Sequence, residues 1–291
     1  MAFQTIQDLV ALAQNQECAI WQIVMETEEK ERGIPGDELL REMARRWQVM
    51  LESIESTGVQ PSMGGLVGGD AARVARIVDE AVIGRVPAKV IARALAAAET
   101  NAAMGRIVAA PTAGSCGILP AVLSVVAEET GAGTTEVAHA LLTAAGVGMV
   151  IAKNASISGA DGGCQAECGA AAAMAAAAAA ELLAGDPVIV AHAAALALKN
   201  LLGLVCDPVA GLVEVPCVKR NAFAAVHALT AAQMAVAGVQ SVIPPDEVIW
   251  AMHRIGKALP EELRETGRGG LAVTPTGKKL AAKIHDAVDQ A

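Results

Sequence analysis

The run GAAAAMAAAAAAELLAG (169–185) is followed almost at once by VIVAHAAALALKNLLGLVC (188–206). Two readings compete for this pair: membrane spans, or helices buried in a protein core. A spanning helix wants about 20 strongly apolar residues and few polar ones. The first run is nearly pure alanine, which gains little from lipid, and the second carries His192, Lys199 and Asn200. The pair is therefore read as buried helices of a non-membrane protein. Alanine is the strongest helix former, and its small side chain lets helices approach closely.

The rest of the 291-residue chain extends this pattern. It is 54% hydrophobic with 2% aromatics and no tyrosine, so much of its apolar content is small. We expect an all-α fold, a compact bundle of Ala-rich helices carrying Gly-rich loops. The length allows one large or two modest domains, and we divide it into an N-terminal helical segment (1–58) and a main body (59–291), packed as one unit. A net charge of −9, with no basic stripe, argues against a nucleic-acid partner. The opening MAFQTIQDLVALAQ lacks the basic and apolar regions of a signal peptide, so we expect a cytoplasmic protein whose cysteines stay reduced.

Apolar spacing predicts a helix over 5–31, ended at Gly33-Ile34-Pro35-Gly36, and a second over 37–57. The Gly/Pro loop at 58–71 leads to Asp70, expected to cap a helix over 71–84. Further helices are expected from Pro87 to about 104, and over 120–130, 134–153, 168–184, 187–204, 220–238 and 245–258, before a less regular tail. GGLVGGD (64–70) lacks the Lys-Ser/Thr of a phosphate-binding loop and follows no strand, so it reads as a turn. GAG (131–133) fails as a dinucleotide fingerprint for the same want of a strand.

Three irregular stretches interrupt the helices: APTAGSCGILP (110–120), NASISGADGGCQAECGA (154–170) and CDPVAGLVEVPC (206–217). Polar, Gly-rich loops on a rigid frame are where small-molecule sites commonly sit. Cys116, Cys164, Cys206 and Cys217 all lie in or beside these loops. No CxxC pair is present, so a structural zinc knuckle is disfavoured. From spacing alone the thiols suit inert buried groups, an iron–sulfur cluster or zinc.

The segments APTAGSCGILPAVL (110–123), KNASISGADGGCQAECGAAAAMAAA (153–177), CDPVAGLVEVPCVKRNAFAA (206–225) and LRETGRGGLAVTPTG (263–277) resemble the alpha chain of the bacterial iron–sulfur-dependent L-serine dehydratases. The resemblance runs over roughly 60–275, in the same order. It implies a cytoplasmic ammonia-lyase, free of pyridoxal phosphate, with a 4Fe-4S cluster on Cys164, Cys206 and Cys217. It implies activity on L-serine, and a related enzyme acting on cysteine or threonine is the near alternative. A helical scaffold subunit without catalysis is the alternative from another class.

Cys116 reads as a packed thiol, and Cys168 as a non-ligand. Substrate-binding candidates are Thr112, Ser115, Asn154, Ser156 and Ser158, whose other role would be local turn bonding. Lys153 and Arg220 are candidates for holding a carboxylate, and Arg268 joins them by resemblance. None of the five histidines (139, 192, 227, 253, 285) falls in a resembling loop. The family's Ser-Ser-His-Thr motif is absent here, as is the terminal cysteine of one-chain members. The resemblance therefore implies a beta-chain partner that completes the pocket and supplies the base.

Overall fold

The computed structural model describes residues 2–55 and 61–289. The 58/59 division proposed above falls at residues 56–60, outside the described set. Thirteen α-helices make up the described chain, with short 3-10 turns between them and no strand. In order they are α1 (Ile6–Asn15), α2 (Ile20–Arg32), α3 (Gly36–Glu55), α4 (Asp70–Ala75), α5 (Arg85–Ala102), α6 (Ile118–Thr130), α7 (Thr134–Asn154), α8 (Gly159–Gly162), α9 (Ala170–Leu183), α10 (Pro187–Asn200), α11 (Cys217–Val236), α12 (Pro245–Ala258) and α13 (Pro275–Asp289).

Helix α9 is the centre. Helices α6, α7, α10 and α11 all pack against it. From Ala170 to Ala180 every residue is buried. A helix apolar on every side has no stable place except inside a core, and here the protein supplies that core. A buried methyl contributes under about 1 kcal/mol, so the stabilisation comes from many close contacts rather than from large side chains. Gly148 on α7 shows the closeness: a Cβ there would lie 2.9 Å from Met174 Sδ on α9. Helix α7 is long and apolar enough to cross a membrane, but it too is mostly buried in the protein.

The outer helices lean on this frame. Helices α2 and α3 pack on α7, and α3 also meets α5. Trp21 of α2 stacks on His139 of α7, ring centroids 3.8 Å apart. Burial lowers the pKa of that imidazole. At the α1 end the core turns bulky, with Phe3, Ile6, Leu9 and Ile20 almost fully buried. Thr5 caps α1, and Asp246 at the start of α12 accepts hydrogen bonds from the Ile6 and Gln7 amides (2.8 and 3.0 Å). Asp186 caps α10 at the Val188 and Ile189 amides, and Pro187 sits in the first turn, where its missing N–H costs nothing.

Three local expectations are corrected. The stretch 5–31 forms two helices, broken at Glu17, which adopts a left-handed φ of 52°. Neither Gly nor Pro marks that break. The helix expected over 71–84 stops at Ala75 and gives way to a 3-10 turn at Val78–Glu80. Gly69, not Asp70, is its cap; the Asp70 carboxylate instead pairs with Lys219 at 2.6 Å and with Arg73. The tail is more ordered than its composition suggests, because α13 packs against the 3-10 turns at Val209–Gly211 and Gly270–Val273.

Candidate functional site

The loop between α7 and α9 carries the first half of the site. Short α8 and a π-helical turn at Gln165–Gly169 replace the single helix start that alanine would favour. Gly163, with φ 77°, turns the chain between them. A Cβ at Gly163 would lie 2.9 Å from the Leu204 carbonyl oxygen, so the close approach to the next loop needs glycine. Gln165, fully buried, ties the turn down: its Nε2 donates to the Met252 carbonyl and its Oε1 accepts from the Gly203 amide.

The loop 206–217 carries the second half. It pairs with the tail through an isolated parallel bridge: the Cys206 amide donates to the Leu263 carbonyl and the Glu265 amide to the Cys206 carbonyl, each at 2.8 Å. Asp207 is buried and holds three segments together. It accepts from Arg220 at 2.9 Å and from the Leu271 amide at 2.8 Å, while Arg220 also donates to the Val205 carbonyl. Glu214, fully buried in the same loop, accepts from Ser62 Oγ (2.6 Å) and the Leu66 amide (3.0 Å).

These two loops bring the thiols together. Cys164 Sγ lies 3.3 Å from Cys168 Sγ, and Cys206 Sγ lies 3.9 Å from Glu167 Oε2. Ligand atoms of Glu167, Cys206 and Glu265 lie within 4.8 Å of one another. A Cβ on Gly159 would intrude into this space, 2.7 Å from Glu167 Oε2 and 3.0 Å from both Cys206 Sγ and Glu265 Oε2. Thr112 Oγ1 donates to Glu167 Oε1 at 2.9 Å and sits 3.1 Å from Ser115 Oγ, so the 110–120 loop reaches the same point.

The electrostatics follow from crowding acidic groups in a buried place. Thiol hydrogen bonds from Cys168 and Cys206 pull Cys164 well below the usual thiol range, and Arg220 adds to the effect. The same contacts push Cys168 and Cys206 up. Burial, with the charges of Cys164 and Glu167, pushes Cys217 up to about 12. Burial pushes Glu167 up to about 7, and Cys164 and Glu265 add to that rise. One thiolate is tolerated; several are not, unless a cationic centre compensates them. Sulfur donors flanked by carboxylates suit a thiophilic metal centre.

The structure thus brings together Thr112, Ser115, Cys164, Cys206, Cys217 and Arg220 from the sequence-derived candidates. It adds Glu167, Glu265 and Cys168. Others have partners elsewhere: Lys153 Nζ donates to Gln4 Oε1, and Asn154 Nδ2 to the Gln4 and Val150 carbonyls. Ser156 Oγ donates to Asp161 and accepts from the Ser158 amide. Arg268 is exposed and pairs with Glu261. Cys116 is buried, its thiol directed at the Ala97 carbonyl. His227 Nε2 lies 2.8 Å from the Ala197 carbonyl and His192 Nδ1 accepts the Ser241 amide, so neither imidazole is spent on the thiols. Glu167 had a readable signal, a lone acid three residues after Cys164 at the head of an alanine run. Glu265 had none, since its approach depends on the bridge to Cys206.

An all-helical frame gathers free thiols and acids from three loops, with Cys206 buried, Glu167 half-buried and Glu265 exposed, and ligand atoms close enough to share one metal ion. The family model for the serine dehydratase alpha chain matches residues 15–272, and this chain belongs to that family. The probable L-serine dehydratase alpha chain of Bacillus subtilis (strain 168) is 45% identical over 286 residues, covering 97% of this chain and 95% of its own. The L-serine dehydratase alpha chain of Peptoniphilus asaccharolyticus is 41% identical over 280 residues, covering 95% and 96%. L-serine dehydratase TdcG of Escherichia coli (strain K12) is 42% identical over 240 residues, which is 79% of this chain but 53% of that longer protein.

Proposed function

We propose that this protein is the catalytic alpha subunit of an iron–sulfur-dependent L-serine ammonia-lyase, working in the cytoplasm with a beta chain. One observation carries the reading: Cys164 and Cys206 meet at Glu167, and Cys217 feels the charge of Cys164 and Glu167, although these residues lie in separate loops. In this reading Cys164, Cys206 and Cys217 hold a 4Fe-4S cluster. When bound, such a cluster supplies a Lewis-acid iron that lacks a cysteine ligand. No pyridoxal phosphate is required.

The chain's own residues have separable tasks. Arg220 and Asp207 fix the Cys206 loop against α11. Thr112 and Ser115 place hydroxyls beside Glu167, where they can orient the oxygens of a small hydroxy amino acid. Glu167 Oε2 lies close against Gly159 and Cys206 Sγ, and burial raises its pKa to about 7, which suits it to deliver the proton that the departing β-hydroxyl needs. Loss of water from L-serine gives aminoacrylate, which tautomerises and hydrolyses to pyruvate and ammonia. The base that takes the Cα proton is assigned to the beta chain: His139, His192 and His227 are engaged in packing and backbone bonds, and among the described residues no contact joins His253 or His285 to the thiols.

The test is iron and acid-labile sulfide content of protein purified without oxygen, with visible spectra before and after L-serine, and pyruvate release once the beta chain is added. About four of each per chain, with a spectrum that serine perturbs, is expected. No iron after anaerobic reconstitution overturns the reading.

A further inference from the structure

We propose that Glu265 is a metal ligand: its carboxylate binds the iron that Cys164, Cys206 and Cys217 leave without a thiolate, and substrate displaces it. This rests on the metal centre proposed above and names the donor that completes it. Among the described residues no donor hydrogen-bonds the Glu265 carboxylate and no cation pairs with it. Yet one of its oxygens lies within 4.8 Å of both Cys206 Sγ and a Glu167 oxygen.

The backbone holds Glu265 in that place against its own preference. Its φ of 63° is left-handed, a region that residues other than glycine rarely adopt. The bridge keeps it there: its amide donates to the Cys206 carbonyl, and the Cys206 amide to the Leu263 carbonyl, each at 2.8 Å. Such enforced conformations gather at functional sites. Gly159 gives an independent sign. A Cβ there would lie 2.7 Å from Glu167 Oε2 and 3.0 Å from both Cys206 Sγ and Glu265 Oε2. Gly159 does not adopt a left-handed φ, so the space and not the backbone calls for glycine. Donor atoms from three segments converge over it.

The two acids differ in what they have left to offer. Glu167 Oε1 accepts from Thr112, and Glu167 Oε2 approaches Cys206 Sγ at 3.9 Å. Glu265 is exposed, and its lone pairs are uncommitted. Buried cysteines make a fixed ligand set. Thiolates suit an iron–sulfur centre better than a carboxylate does, so the exposed carboxylate is the ligand that gives way to substrate.

The test compares wild-type protein with Glu265→Gln, Glu265→Asp and Glu262→Gln, each cluster-loaded without oxygen and combined with its beta chain. Visible spectra are recorded before L-serine and during its titration. Glu265→Gln should change the spectrum before L-serine is added. With the competing ligand gone, the L-serine-induced change should reach half-saturation at about 3- to 10-fold lower concentration. A merely structural role would move it the other way. Glu265→Asp keeps the charge but shortens the reach, and should shift in the same direction by less; it answers the question if the Gln variant does not fold. Glu262→Gln, an exposed acid of the same tail, should behave as the wild type does. An unchanged spectrum and half-saturation point in Glu265→Gln, weaker L-serine binding in that variant, or an equal shift in Glu262→Gln overturns the proposal. If the wild type takes up no iron, the function proposed above falls, and cobalt(II) binding to the full chain decides the ligand alone. Affinity about 10-fold or more weaker in Glu265→Gln leaves Glu265 standing as a metal ligand; equal affinity removes it.

Discussion

Helix α9 and the turn that precedes it are adjacent in sequence and about equally buried, yet they do opposite things. From Ala170 to Ala180 the environment is uniform: methyl groups against methyl groups, with backbone polarity satisfied inside the helix. From Gly159 to Gly169 burial is spent on groups that resent it, two thiols and a carboxylic acid. The difference teaches why the alanine is there. A frame of small side chains packs closely and leaves few alternative arrangements, so it can hold a strained, mutually repelling set of acids next to it. Perturbed groups beside a rigid support are what a reactive site needs.

The sharpest way to break this comparison is at the thiols. Cys164→Ala, Cys206→Ala and Cys217→Ala should each lower turnover by about 10³-fold or more and release iron, measured by pyruvate release and metal analysis. Cys168→Ala should keep both; loss of iron in that variant alone would show the ligand set to be wrong. Next is Gly159→Ala, which adds a methyl to the space between Glu167, Cys206 and Glu265. Misplacing those groups by a fraction of an ångström should cost about 10²-fold in kcat while thermal unfolding changes little. A large fall in melting temperature instead would make Gly159 a packing residue.

Two stability experiments sharpen the other side. Burial pushes Glu181, near the end of α9 and hydrogen-bonded by Thr143, from 4.5 up to about 7. Its folded form thus favours the proton. The contribution of Glu181 is fully present below pH 4.5 and is lost as pH rises through about 7, for a total of roughly 3 kcal/mol. Glu181→Gln should remove that slope and stabilise the protein at pH 8 relative to wild type, read from denaturant unfolding at pH 5 and 8. Parallel pH dependence in both proteins would place the titration elsewhere. The smallest expected effect is Ala176→Leu, which forces extra carbons into a site with no exposed surface. It should cost about 1–3 kcal/mol, seen as a lower unfolding midpoint. A neutral result would mean that the α9 surroundings are looser than their burial indicates.

The elements that could be read from the sequence are those in which one residue type dominates. Alanine runs, a proline after an N-cap such as Asp186-Pro187, and glycines at helix ends carry local instructions that the fold keeps. The elements that could not be read are those set by a distant partner. Nothing near Glu17 announces the break between α1 and α2. The early end of α4 accompanies an Asp70 that pairs with Lys219 on α11 rather than capping its own helix. The site divides in the same way. The three cysteine loops were visible as Gly-rich interruptions, and Thr112, Ser115 and Arg220 with them. Lys153, Asn154 and Arg268 looked equally suitable, but they are bonded to Gln4 and Glu261.

The sequence by itself determined that the chain would be helical, that its centre would be built of alanine, and which loops would carry thiols. These are local properties: helix propensity, side-chain size and the turn chemistry of glycine and proline. Only the tertiary structure decided that Cys164 and Cys206 meet at Glu167, that Cys217 shares their charge environment, and that the tail returns along Cys206 to bring Glu265 beside them. Those meetings join residues up to about 100 positions apart through the bridge at Cys206 and the buried Asp207. No periodicity along the chain encodes such contacts, because the packing of the whole alanine frame sets the distances between its loops.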